Sequence, residues 1–196
     1  LMHIDENLEP VQSAQYLSNS PYYSSNTFQV EPLQDGGFAL TAWRNGGGET
    51  LQYTTLLKID NNWDFVWARA MYPEGATDIW TTPFNVIQDE EGSIYIDGRA
   101  KITPVNSYFL SKYTNDGDLL WTKTMQDVED FSFLENGNPF IAYNPNTPNY
   151  EWMIGNNVGS PTGGFGGIDF TFMRTDMDFS ACSLFDTDFV SNEETW

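Results

Sequence analysis

The stretch from Leu56 to Met71, LLKIDNNWDFVWARAM, is written again from Leu110 to Met125 as LSKYTNDGDLLWTKTM. A worn copy opens the chain at Leu1 to Tyr16 (LMHIDENLEPVQSAQY), and another begins at Phe172 (FMRTDMDFSACSLFDTD). The starts lie 55, 54 and 62 residues apart. A segment that recurs at a near-constant period makes a series of similar units, each burying its apolar face against a neighbour.

Each copy reads as a β-hairpin. Leu56, Leu57 and Ile59 give an apolar strand, Asp60-Asn61-Asn62 supplies turn chemistry, and Phe65, Val66 and Trp67 start a second strand of aromatic and β-branched residues. In the later copy the turn is Asn115-Asp116-Gly117-Asp118, where Asp and Gly tolerate the positive φ of a tight reversal. A cation recurs after the first apolar residues as Lys58, Lys112 and Arg174, with His3 in the opening copy. Trp67 and Trp121 also coincide, and a large flat side chain at one place per unit fills the space between stacked sheets.

A second kind of hairpin precedes these. Phe28 and Val30 alternate with polar residues, Asp35-Gly36-Gly37 turns the chain, and Phe38, Leu40 and Trp43 continue it. Its echoes are Phe84 to Gly98, turning at Asp89 to Gly92, and Phe131 to Tyr143, turning at Asn136-Gly137. Gly37 and Gly92, 55 apart, are matched as the turn-ending glycines. A full unit is then four short antiparallel strands, which at this period is the signature of a β-propeller blade. Helical periodicity is too short and too interrupted by Gly, Pro and Asn to compete. The fold expected is all-β, a β-propeller fragment of about three and a half four-stranded antiparallel blades. The half blade covers 1–17, the full blades 27–72, 78–126 and 128–188, and a polar tail, 190–196, is frayed unless Trp196 docks.

Composition narrows the partners. With 40% hydrophobic and 16% aromatic residues the 196-residue chain can build a packed core. Its 28 acidic against 8 basic residues give a net charge of −20, which repels nucleic acid and anionic membrane surfaces. No run approaches the roughly 20 apolar residues of a membrane span. Cys182 is the single cysteine, so an intrachain disulfide is excluded, and its place on a strand of the last copy reads as a small buried hydrophobe. The first residue, Leu1, falls inside a copy, which reads as a fragment or a processed product.

The sequence of DGGFAL, LLKID, a turn and VWARAM resembles the seven-bladed β-propeller (SBBP-type) repeats of secreted and cell-surface Bacteroidota proteins. Gly36-Gly37, Lys58, Asp60 and Trp67 carry the likeness, with Gly98, Lys112, Gly117 and Trp121 in the next unit, over about Leu1 to Asp188. The resemblance implies a propeller in a secreted or surface-exposed protein, many of whose relatives leave by type IX secretion, although that route's C-terminal sorting domain is not recognisable here. It implies no catalytic motif.

The residues themselves offer little chemistry. His3 is the only histidine and stands where other copies carry Lys or Arg, so it is a structural substitution rather than a base. A zinc site would need several more His or Cys ligands. Asp60, Asp64, Asp89, Glu90, Glu91, Asp116 and Asp118 fall in turns, where Asp serves the local backbone. No cofactor is expected. Calcium is the ion the oxygen clusters at 60–64 and 115–118 would take, though neither completes a twelve-residue calcium loop. The connection from Asn144 to Gly167 is long, and its Tyr150 and Trp152 are the candidate ligand-contacting residues. Packing of Trp152 on its own blade is the structural alternative. The function these features suggest is a non-enzymatic binding or scaffold module of an exported protein, engaging protein or glycan. The alternative is a carbohydrate-active hydrolase or lyase with acids in the propeller channel. The half blade's open edge calls for a ring completed by missing sequence or a second chain.

Overall fold

The computed structural model describes residues 2–13, 25–45, 51–74, 79–102, 105–126, 132–133, 140–144, 151–159, 168–175, 185–186 and 189–193. Among them every regular element is a strand, and the sheets are almost wholly antiparallel. The chain opens with a separate hairpin, β1 (Met2–Ile4) against β2 (Pro10–Ser13). Next, β3 (Ser25–Pro32), β4 (Phe38–Asn45), β5 (Leu51–Ile59) and β6 (Phe65–Pro73) run as a meander, each strand antiparallel to the one before. A second meander of the same order follows, β7 (Ile79–Gln88), β8 (Ile94–Ile102), β9 (Val105–Tyr113) and β10 (Leu119–Gln126). A short parallel contact joins them, Leu51 with Ile79 and Gln52 with Trp80.

The hairpins turn by one rule. In five of them the residue at the turn's start donates its N–H to the carbonyl four residues on and accepts from the N–H three on: Asp5, Leu33, Asp60, Asp89 and Thr114. The fourth residue has positive φ in every case: Leu8, Gly36, Trp63, Gly92 and Gly117. This is a type I turn closed by a left-handed bulge residue. The alternation of apolar residues on either side sets the register. Where the first residue is Asp5, Asp60 or Asp89, its carboxylate also accepts the N–H four residues on at 2.8–2.9 Å. Thr114 does so through its hydroxyl at 3.0 Å. The matched left-handed glycines are thus Gly36 and Gly92, not Gly37 and Gly92.

Because side chains alternate along a strand, each meander has two faces. Ala39, Leu56, Trp67 and Met71 of the first meander pack into Val86, Ile94, Ile96, Phe109 and Tyr113 of the second. Trp67 is the wedge. The indole lies where a Cβ on Gly117 would sit, 2.9 Å from its Cδ2, so only glycine admits it. Its Nε1 donates to the Asn115 carbonyl at 3.3 Å, and Arg69 Nε donates to the Gly117 carbonyl at 2.9 Å. Full burial of each such Leu, Ile or Phe stabilises by about 1.5–3 kcal/mol. On the first meander's other face Leu40, Leu57, Ile59 and Ala68 form a second cluster, edged by Val30 and Phe38.

The last third departs from the expected plan. The strands about Asn136-Gly137, β11 (Ser132–Phe133) and β12 (Phe140–Asn144), do not pair with each other. Both lie along one edge of β13 (Glu151–Gly159), and β14 (Ile168–Thr175) takes the other. The stretch expected as one long connection therefore holds a nine-residue central strand. Its Gly and Asn content hid a strand specified by the three strands along its edges.

The tail is also placed differently. β15 (Phe185–Asp186) pairs with β10, and β16 (Phe189–Glu193) pairs along β6, so most of the segment expected to fray lies in a sheet. Both pairings cover the outer edge of a meander, whose N–H and C=O groups need partners. Phe189 adds a ring contact to Phe109 at 5.7 Å. Among the described residues the sheet does not close into a ring. None of them forms a helix long and apolar enough to cross a membrane.

Candidate functional site

The strand directions divide the two meanders into unlike ends. The described turns of the two meanders, at 33–37, 60–64, 89–93 and 114–118, lie at one end, and with them Asp35, Asp60, Asp64, Asp89, Glu90, Glu91, Asp116 and Asp118. The opposite end, where β4 and β8 finish and β5 and β7 begin, carries Arg44, Arg99 and Lys101 beside Tyr53, Tyr72 and Trp80.

At the turn end side chains tie the turns to one another. Lys58 Nζ donates to Asp35 Oδ2 at 2.6 Å and to Asn115 Oδ1 at 2.8 Å, binding the two turns of the first meander to one of the second. The Lys58 hydrogen bond is the main cause that holds the Asp35 carboxyl below its ordinary range. In the second meander Lys112 Nζ stands 3.9 Å from Asp89 Oδ2, which also accepts from the Tyr95 hydroxyl at 3.0 Å. Gln34 spans the stack, its N–H donating to Gln88 Oε1 and its Nε2 to the Asp89 carbonyl. Asp60 is held below its ordinary pKa, first by the Asp64 N–H, and Asp5 likewise by the Glu9 N–H. Among the described residues no three His, Cys, Asp or Glu side chains are grouped to hold a metal.

A deeper acid sits in the second meander. Asp97 on β8 is fully buried and accepts from Asn85 N–H (2.8 Å), Asn85 Nδ2 (2.9 and 3.0 Å) and the Tyr108 hydroxyl (2.7 Å). Burial pushes its pKa up to about 7, opposed in part by these donors. The same burial and the neighbouring carboxylate raise the Tyr108 phenol well above its ordinary value. The network sits at the bulge where Pro83 pairs with Gly98 and Asn85 with Asp97. Asp97 and Tyr108 are 0% and 2% exposed, so the buried position closes the network to substrate.

The opposite end offers a surface. Cross-strand pairing sets Arg44 of β4 opposite Tyr53 of β5, with its guanidinium 5.8 Å from the ring centre. Tyr72 of β6 continues the row, its ring 6.4 Å from that of Tyr53, and its hydroxyl accepts from Asn192 Nδ2 at 2.6 Å. Arg44, Tyr53, Tyr72 and Asn192 therefore run across four adjacent strands, with both tyrosines partly exposed and Asn192 exposed. On β7 and β8 the Arg99 guanidinium lies 4.2 Å from the Trp80 ring centre. The two partly exposed rings and the exposed Asn192 amide present apolar faces and hydrogen-bonding tips together, while the Arg44 guanidinium, at 4% exposure, lies buried beside the Tyr53 ring.

Neither residue singled out in the sequence belongs to this row. Tyr150 lies outside the described residues. The backbone of Trp152 lies in β13, between Tyr143 and Thr175, within the sheet rather than on a loop, and its side chain lies outside the described residues. Cys182 lies outside them as well. Signals for the row existed in the alternation of Tyr53 with Thr54 and in Tyr72 at the end of VWARAMY, but only the pairing register puts those residues side by side. No protein-family model matches the chain, and no curated protein does so.

Proposed function

We propose that this chain is a non-enzymatic binding module of an exported, surface-associated protein, and that it engages glycan through the Tyr53–Tyr72–Asn192 row, with Arg44 buried behind it. The row itself carries the reading: two partly exposed rings 6.4 Å apart span neighbouring strands, with an exposed asparagine at one end. Tyrosine rings on a rigid sheet stack on the C–H faces of sugar rings at low entropic cost, and the Asn192 amide and the phenolic hydroxyls hydrogen-bond sugar hydroxyls. The meanders act as blades of an open propeller-like stack, and Asp35 is engaged with Lys58 and Asn115 in holding them together.

Affinity electrophoresis in gels containing soluble polysaccharides tests this, with reducing-end release measured on the same mixtures. The module reading predicts retardation by at least one polysaccharide with no release. Release of reducing ends by the protein would overturn it in favour of the hydrolase reading.

A further inference from the structure

The opening hairpin stands to the first meander as the hairpin of β5 and β6 stands to the second. In both, the residue two places before the turn reaches the next turn along: His3 lies 6.5 Å from the Trp63 ring, and Lys58 bonds Asn115. What differs is the cover. Leu57 and Ile59, which flank Lys58, are 3% and 0% exposed, and Leu40 and Phe38 of β4 pair opposite them. The matching positions of the second meander, Ser111 and Tyr113, lie fully buried opposite Ile96 and Ile94 of β8. Met2 and Ile4, which flank His3 in the same way, are 63% and 45% exposed. Among the described residues β1 pairs only with β2.

Resting on the module reading above, we infer that the open edge of β1 is a docking site for a β-hairpin of a partner polypeptide, added antiparallel in the register that β4 takes on β5. The two covered copies define the incoming strand. Apolar residues face Met2 and Ile4, as Leu40 and Phe38 face Leu57 and Ile59, and a small or aromatic residue faces His3, as Ala39 and Tyr95 face Lys58 and Lys112. A carboxylate in the partner's turn lies near the His3 ring, as Asp35 and Asp89 lie near the two lysines. Backbone hydrogen bonds give such an added strand its affinity, and the alternating side chains give it its specificity.

The chain contains its own probe. A fluorescein-labelled synthetic hairpin of residues 25–45, the sequence of β3 and β4, is titrated with the full-length protein and followed by anisotropy. Saturable binding is expected. It is weakened at least about tenfold by Ile4→Lys and by Met2→Glu, each of which sets a charge in an apolar contact. It is left unchanged by Leu120→Lys on β10, and it is weaker for a peptide carrying Asp35→Asn. Circular dichroism confirms that the variants fold. No binding, or equal loss with Leu120→Lys, overturns the inference. So does concentration-dependent dimerisation of the wild type that Ile4→Lys abolishes, since the occupant would then be a second copy. Polysaccharide retardation is read on the same variants. Its persistence in Ile4→Lys separates failure at the β1 edge from failure of the module reading.

Discussion

Gly117 and Gly92 hold the same backbone conformation, φ +87° in each, but meet different surroundings. A Cβ at Gly117 would strike the Trp67 indole, whereas at Gly92 the nearest atom is the Gln88 amide nitrogen at 3.8 Å. Gly92→Ala should therefore cost only the left-handed strain, about 1–2 kcal/mol, and Gly117→Ala at least about 1 kcal/mol more, read as urea midpoints. Equal losses would mean that Trp67 yields freely.

Asp97 makes a second prediction at this scale. Its folded pKa of about 7 lies above the ordinary carboxyl value near 3.8, so between those pH values the folded chain holds a proton that the unfolded chain has released. Stability from this group is fully present below about pH 4 and is lost as pH rises towards 7, up to about 4 kcal/mol in all. Partly buried Glu31, raised by desolvation, acts in the same direction, whereas the lowered Asp5, Asp35 and Asp60 titrate below this window. Urea midpoints should fall between pH 5 and pH 8 in the wild type and stay nearly flat in Asp97→Asn. A flat wild-type profile would contradict the assignment.

At the scale of elements, the two meanders are bound by side chains reaching from one turn to the next. Lys58→Met removes three bonds, to Asp35 and to both Asn115 oxygens, and should cost about 1 kcal/mol, since half of the Asp35 partner is open to solvent. Lys112→Met, losing a 3.9 Å contact, should cost less. β16 contributes differently, by covering the β6 edge and setting Phe189 against the core. Phe189→Ala should cost about 2 kcal/mol, below the range for a fully buried Phe, and should raise amide exchange along β6.

The hairpins and their turns were legible in the sequence because Asp, Asn and Gly recur at fixed offsets between alternating apolar residues. The positive φ at Leu8 and Trp63 was not, since neither residue type signals it. Nor was β16: VSNEE reads as a polar end, and only the open edge of β6 makes a strand of it. The fate of β13 was hidden for the same reason, that long-range pairing overrode a weak local preference.

Over the two meanders eight carboxylates lie with the described turns, whereas the Arg44–Tyr53 and Arg99–Trp80 pairs lie at the opposite end, a placement that strand direction imposes and composition alone could not show. A net charge of −20 surrounds the few cations, so Arg44 beside the tyrosine row is a local exception in the field. The most direct measurement is isothermal titration of a retarding polysaccharide into the wild type and into a Tyr53→Ala, Tyr72→Ala double variant. Loss of at least about tenfold in affinity, with unchanged thermal unfolding, is the predicted result, as expected for removing two stacking rings. Unchanged affinity in the double variant would contradict the assignment of the row as the binding surface.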